Sequence, residues 1–162
     1  MLDLEVSDII HNLKNSSSKG EDNIPVSIVK FCCSELCQVL AFLINESLSE
    51  GIFPDALKVA KVVPIFKAGD TKHVTNYRPI SVLSTFSKIY EKAVHCRLNK
   101  YLTDHAILHN NQFGFRPKLS TSLALLQLVD QLTKCMDENM ITIGVFVDLA
   151  KAFDTVDHNI LL

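Results

Sequence analysis

No apolar run in this sequence is long enough to span a bilayer. The most apolar helical stretch, Val39-Leu-Ala-Phe-Leu-Ile44, covers six residues, where a spanning helix needs about 20. The N-terminus, Met1-Leu-Asp-Leu-Glu-Val-Ser-Asp8, has no basic stretch followed by an apolar core, so no secretory leader is expected. The five cysteines are odd in number and include no CxxC pair, which argues against a disulfide framework and against a metal module. Cys32, Cys33 and Cys37 fall on an expected helix beside Leu36 and Leu40 and read as core thiols. A reducing, intracellular setting, cytoplasmic and/or nuclear, is expected. There is no internal repeat. No strong net charge is present either: the balance is −2 and the pI near 6.3, which taken globally argues against a polyanion partner.

The charge distribution says otherwise. From Lys58 to Lys118 there are eleven Lys/Arg against three acids (Asp70, Glu91, Asp104), a local balance of +8; the remainder carries five against fifteen, a balance of −10. A basic middle between acidic flanks is the pattern of a polyanion-binding face. Solvated helix faces account for some of it, and Lys88, Lys92 and Lys100 fit there. With 48% apolar residues in 162, the chain can build a core, as one domain or a large part of one.

The periodicities give a mixed α/β (α+β), helix-rich chain. A short helix is expected over Val6–Lys14, then a polar loop over Asn15–Asn23. Pro25 suits the first turn of one long helix to about Glu50, with Val29, Cys32, Cys33, Leu36, Val39, Leu40 and Leu43 inward and Gly51 ending it. Val59–Phe66 reads as a strand and Lys67–Asp70 as a turn. Ser84–Leu102 is helical, with Phe86, Ile89, Tyr90, Ala93, Val94, Leu98 and Tyr101 inward. Gln112–Pro117 is a loop or short strand. Ser120 or Thr121 caps a helix to about Asp137, with Leu123, Leu126, Val129, Leu132 and Met136 inward. Ile141–Val147, rich in Ile, Val and Phe, reads as a buried central strand. Asp157–Leu162 reads as the first turn of another helix.

Three segments carry chemistry. Asp148 ends the apolar run, and a carboxylate at the end of a buried strand needs a charge to compensate it. A divalent cation is one such partner, because Mg²⁺ prefers one or two carboxylates plus substrate phosphates. Lys67 and Arg78 stand eleven residues apart on either side of a loop. Two strands joined by that loop would bring both to one face, where a point charge and a planar fork could hold a triphosphate. Gln112-Phe-Gly-Phe-Arg-Pro-Lys-Leu-Ser-Thr121 joins aromatics, glycine and basic residues in a form suited to a nucleic-acid backbone or base.

In this order, Val62–Asp70 with Asn76–Leu83, Gln112–Thr121 and Phe146-Val-Asp-Leu-Ala-Lys-Ala-Phe-Asp-Thr-Val-Asp-His158 closely resemble the N-terminal half of the reverse transcriptase domain of non-LTR retrotransposons. Gly20-Glu-Asp-Asn-Ile-Pro25 before a long helix resembles the start of that domain. The resemblance runs from about residue 18 to the end, leaving 1–17 as a leader helix and linker. It implies the fingers and first part of the palm of a right-hand polymerase, with RNA template, DNA primer and dNTP as partners, Mg²⁺ as cofactor and no membrane. It implies Asp148 as the first catalytic aspartate and a metal ligand, with Leu149 adding a carbonyl to a metal site and to the dNTP site. Phe153 takes the position that stacks beneath the sugar. Lys67 and Arg78 take the positions that hold the dNTP triphosphate, and Gln112, Gly114, Phe115 and Arg116 those near the template. Asp154 and Asp157 match no metal ligand.

The family's Tyr-Ala-Asp-Asp type hairpin, which supplies a second carboxylate, does not occur here, nor does a thumb. The expectation is therefore a fragment, truncated before that hairpin, without polymerase activity alone. The alternatives are a non-catalytic nucleic-acid-binding module, a nuclease or phosphatase built on Asp148, Asp154 and Asp157, and an inert relic.

Overall fold

The computed structural model describes residues 3–16, 18–149 and 155–157. The chain divides into two compact units, Met1–Ile107 and Leu108–Leu162. Among the described residues there are five α-helices and one two-stranded sheet, so the expected mixed α/β class holds. No helix among them is long and apolar enough to cross a membrane.

The first unit is built on helices α1 (Asp3–Asn12), α2 (Val26–Phe31), α3 (Cys33–Glu50) and α4 (Thr85–Asp104). Helix α1 starts with Asp3 and Glu5, which complement the positive end of its dipole. It gives Val6, Ile9 and Ile10 to a core shared with Val29, Cys33, Cys37, Leu40, Ala41 and Ile44, and with Ile89, Tyr90 and Ala93 of α4. The long helix expected from Pro25 is in two pieces. At Cys32, ψ of 18° takes the backbone out of the helical region, although the Cys32 and Leu36 N–H groups still donate to Ile28 and Cys32 carbonyls. Helix α3 ends as expected on Gly51, whose φ of 67° lies in the left-handed region open to glycine.

The buried face of α3 differs from the expected one. Cys33, Cys37, Leu40 and Ile44 face the core, while Val39 and Leu43 are exposed. Helix α3 is apolar over more than one stripe, and its contacts with α1 and α4 select the stripe one residue further on. Likewise, only the first half of α4 is covered: Val94, Leu98 and Tyr101 are exposed.

Between α3 and α4 lies an antiparallel hairpin of β1 (Ala60–Phe66) and β2 (Tyr77–Leu83). Pro64 stands opposite Pro79, which the hairpin tolerates because both strands are edges. Ser84 caps α4 by accepting the Ser87 N–H at 3.0 Å. Two buried hydroxyls fasten this corner: Thr85 donates to the Ile24 carbonyl at 3.0 Å, and Ser87 to that of Leu57 at 2.8 Å. Gly20 lies against the cap so closely that a Cβ there would sit 2.6 Å from the Ser84 Cα.

The Cys33 and Cys37 sulfurs lie 3.3 Å apart. Burial, then the hydrogen bond with Cys33, pushes the Cys37 thiol up to about 11. Burial also raises Tyr90, against a smaller opposite pull from Ser47. Both groups are held neutral by the fold, so the stability they contribute is complete below the unfolded thiol value of about 9. It is lost as pH rises toward 11. Urea midpoints are therefore expected to be flat from pH 7 to about 9 and to fall steadily above it; a flat profile through pH 11 would contradict this burial.

In the second unit, Ser120 caps α5 (Thr121–Asp137), its Oγ accepting the Leu123 N–H at 3.2 Å, as expected. The helix closes with Asn139 at φ 58° and the Met140 N–H on the Cys135 carbonyl. Its expected inward residues are not buried; exposure runs from 36% at Leu132 to 74% at Met136. Ile141–Val147 is not a strand either: residues 140–149 form no regular element and Ile141 is 93% exposed. A strand exists only through hydrogen bonds to a neighbour, and no described segment pairs with this one.

Candidate nucleotide and nucleic-acid site

The hairpin brings Lys67 and Arg78 together. Ile65 faces Arg78 across the ladder, and the Lys67 N–H extends it by donating to the Asn76 carbonyl at 2.8 Å. Side chains alternate between faces, so Ile65, Lys67 and Arg78 share one face and the two cations are diagonal neighbours. Both are exposed. Among the described residues neither is paired with an acid. The loop between them is held from within. Asp70 Oδ1 accepts the Lys72 N–H at 2.9 Å, its carbonyl accepts the Asn76 side-chain amide at 2.7 Å, and Tyr77 donates its hydroxyl to the Thr71 carbonyl at 3.0 Å. The Phe66 and Tyr77 rings meet edge-on at 5.5 Å. The two cations thus flank an internally ordered loop, so an anion held between them would leave little backbone to organise on binding.

In the second unit, 112–116 is a loop with a turn at Gly114 and Phe115, one of the two expected forms. Gln112 donates its N–H, and Arg116 its Nη1, to the His109 carbonyl, each at 3.0 Å. Gly114 stands open, and nothing in the structure requires a glycine there. Phe115 is 96% exposed with φ 60°. A bulky side chain in the left-handed region is strained by about 1–2 kcal/mol, and an aromatic ring wholly in water gains nothing from packing. Both facts suit a ring kept free to stack on a base. Phe115→Gly is expected to raise stability by about 1 kcal/mol while weakening single-stranded RNA binding by about 1–3 kcal/mol. A thermal melt and fluorescence anisotropy would read the two opposite changes; a drop in both would sink the idea.

Asp148 is exposed, as is Leu149, so the expected buried carboxylate at a strand end is corrected. It stands in water and needs no compensating charge. Among the described residues no group of three metal-ligating side chains forms. Asp148 with the Leu149 carbonyl is an oxygen donor set, which suits Mg²⁺ in kind and, with substrate phosphates, in number. A second metal needs a further carboxylate. Phe153 and Asp154, like most of the segment expected as a last helix turn, lie outside the described residues.

Sequence reasoning missed one cation, Lys61. Counting alternate residues back from Lys67 along β1 reaches it.

Residues 65–162 match the family described as "Reverse transcriptase (RNA-dependent DNA polymerase)". The chain is 33% identical over 159 residues to the "Probable RNA-directed DNA polymerase from transposon BS" of Drosophila melanogaster, covering 98% of this chain and 18% of that protein. It is 33% identical over 162 residues to the "RNA-directed DNA polymerase from mobile element jockey" of the same species, with 98% and 17% covered. Against the "Transposon TX1 uncharacterized 149 kDa protein" of Xenopus laevis, identity is 27%, with 98% and 12% covered. The chain thus spans less than a fifth of the length of these curated relatives.

Proposed function

Because the chain belongs to the reverse transcriptase (RNA-dependent DNA polymerase) family, and two of its relatives carry the name RNA-directed DNA polymerase, one from a transposon and one from a mobile element, we propose that it carries the nucleotide-gripping part of an RNA-directed DNA polymerase. In this reading residues 1–17 lead into a polymerase domain over 18–162, with its fingers and the first part of its palm. Lys67 and Arg78 hold the triphosphate of an incoming dNTP. Gln112, Gly114, Phe115 and Arg116 line the path of the RNA template. Asp148 and the Leu149 carbonyl hold Mg²⁺, and Phe153 lies beneath the sugar, where it excludes a 2′-hydroxyl.

The observation that carries the reading is the pair of exposed cations on one hairpin face, neither paired with an acid. The DNA primer's 3′-hydroxyl attacks the α-phosphate in this chemistry, and the protein's share is positioning and charge. Lys67 fixes the phosphates as a point charge and Arg78 orients them through a bidentate fork. Bound Mg²⁺ would neutralise charge that develops on the phosphates. Two-metal transfer further needs a second carboxylate beside Asp148; among the described residues no group of three metal-ligating side chains forms.

A second reading, a nucleic-acid-binding module without catalysis, draws on the solvent-exposed Phe115 ring. Titration of a fluorescent dNTP in Mg²⁺ separates the two: binding that depends on Lys67 and Arg78 supports the polymerase, and RNA binding without nucleotide binding supports the module.

A further inference from the structure

We propose that Lys61 is a third cation of the hairpin's charged face, and that it positions the phosphate backbone of a nucleic-acid strand rather than the nucleotide. Residues 60–67 and 76–83 carry three cations, Lys61, Lys67 and Arg78, and no acid. The register places all three on one face: Lys61 stands opposite Val82 as Ile65 stands opposite Arg78. The other face, with Val62, Pro64, Phe66, Tyr77 and Pro79, bears no charge. Sorting every charge to one side of an exposed hairpin gives that side a directed positive potential.

Lys61 is exposed. Glu21 lines the same cleft beside Gly20 and Asn23, yet among the described residues no ion pair joins the two. The ammonium therefore stays available to an anion. Distance decides which anion. Lys67 and Arg78, as diagonal neighbours, stand about 7–8 Å apart, within the span of one triphosphate. Lys61 is six residues from Lys67, roughly 20 Å along the strand at about 3.3 Å per residue, which is beyond that span. A nucleic-acid strand repeats its phosphates about every 3.4 Å of axis, so one strand crossing the face can meet Lys61 while a nucleotide occupies the other end. Between them Val63, Ile65 and Ile80 offer exposed apolar rungs against which sugars can lie. This division of labour rests on the triphosphate reading for Lys67 and Arg78; the strand contact at Lys61 does not.

The test uses the full chain and two probes in parallel: a fluorescein-labelled RNA–DNA hybrid followed by anisotropy across a KCl series, and a fluorescent dATP in Mg²⁺. Lys61→Ala is expected to weaken hybrid binding several-fold and to lower the log–log salt slope by about 0.9, one phosphate contact. Its dATP affinity is expected to equal that of the unsubstituted chain. Lys61→Glu should enlarge the hybrid loss and again spare dATP. Three results overturn the proposal: an unchanged hybrid slope and affinity in Lys61→Ala, a dATP loss as large as the hybrid loss, or no hybrid binding by the unsubstituted chain at low salt. If Lys67→Ala and Arg78→Ala leave dATP binding intact while Lys61→Ala lowers the slope, the polymerase reading fails and the Lys61 contact stands.

Discussion

Reversing the charge of Lys67 or Arg78 is expected to abolish triphosphate binding. A hydrogen bond to a charged group is worth about 1.5–3 kcal/mol, so neutral truncation alone should weaken binding roughly 10- to 100-fold. Lys67→Glu or Arg78→Glu also sets a carboxylate against a polyanion, and the double reversal should leave no measurable affinity. The loss can be read as binding and not as unfolding, because neither side chain holds the hairpin. Its loop is fixed by Asp70, Asn76 and Tyr77, and its ladder by backbone groups. Titration of a fluorescent dNTP in Mg²⁺, with a far-UV spectrum to check the fold, measures it. If either reversal bound the nucleotide like the unsubstituted chain, the triphosphate role would be gone. Under the rival binding-module reading the same variants weaken RNA only modestly, as two phosphate contacts among several.

Ile89→Ala is expected to be among the most damaging single truncations in the first unit. Ile89 is fully buried in α4, within the cluster that joins α1 to α3. Ile→Ala at such a site typically loses about 2–5 kcal/mol, the transfer term plus the cavity left behind. That is a large fraction of the roughly 5–15 kcal/mol that holds a typical domain folded. Leu98→Ala, on the same helix but half exposed, should change stability by no more than about 0.5 kcal/mol. Urea midpoints of the two variants check the contrast, and equal losses would mean that the core has been placed on the wrong face of α4.

The elements legible in the sequence are those with local causes. Ser84 and Ser120 announce their helices through side-chain caps, Gly51 ends one through a left-handed backbone, and the Lys67–Asp70 turn joins two β-rich runs. Helix faces were less legible. Leu123, Leu126 and Val129 follow helical spacing, but spacing states which residues share a side and not whether anything lies against it. Ile141–Val147 has strand composition, yet composition cannot supply the neighbouring backbone that a ladder requires. In the hairpin, Lys67 and Arg78 were readable because a hairpin converts sequence spacing into a shared face. The strain at Phe115 was not, since an aromatic in the left-handed region contradicts its own propensity.

Helix α3 carries a further consequence for how the chain finds its fold. Its buried residues are Cys33, Cys37, Leu40 and Ile44; the stripe at Cys32, Leu36, Val39 and Leu43 is the same pattern one residue earlier. Turning the helix by about 100° exchanges the two. A docking of α3 on the second stripe would bury Val39 and Leu43 in place of Cys37 and Ile44, and what favours the observed one is fit: the small Ala41, the close thiols of Cys33 and Cys37, and Leu36, which packs against the core from its edge. Two competing dockings of one helix would be a source of frustration, roughening the landscape at the step that brings α1 and α4 onto α3.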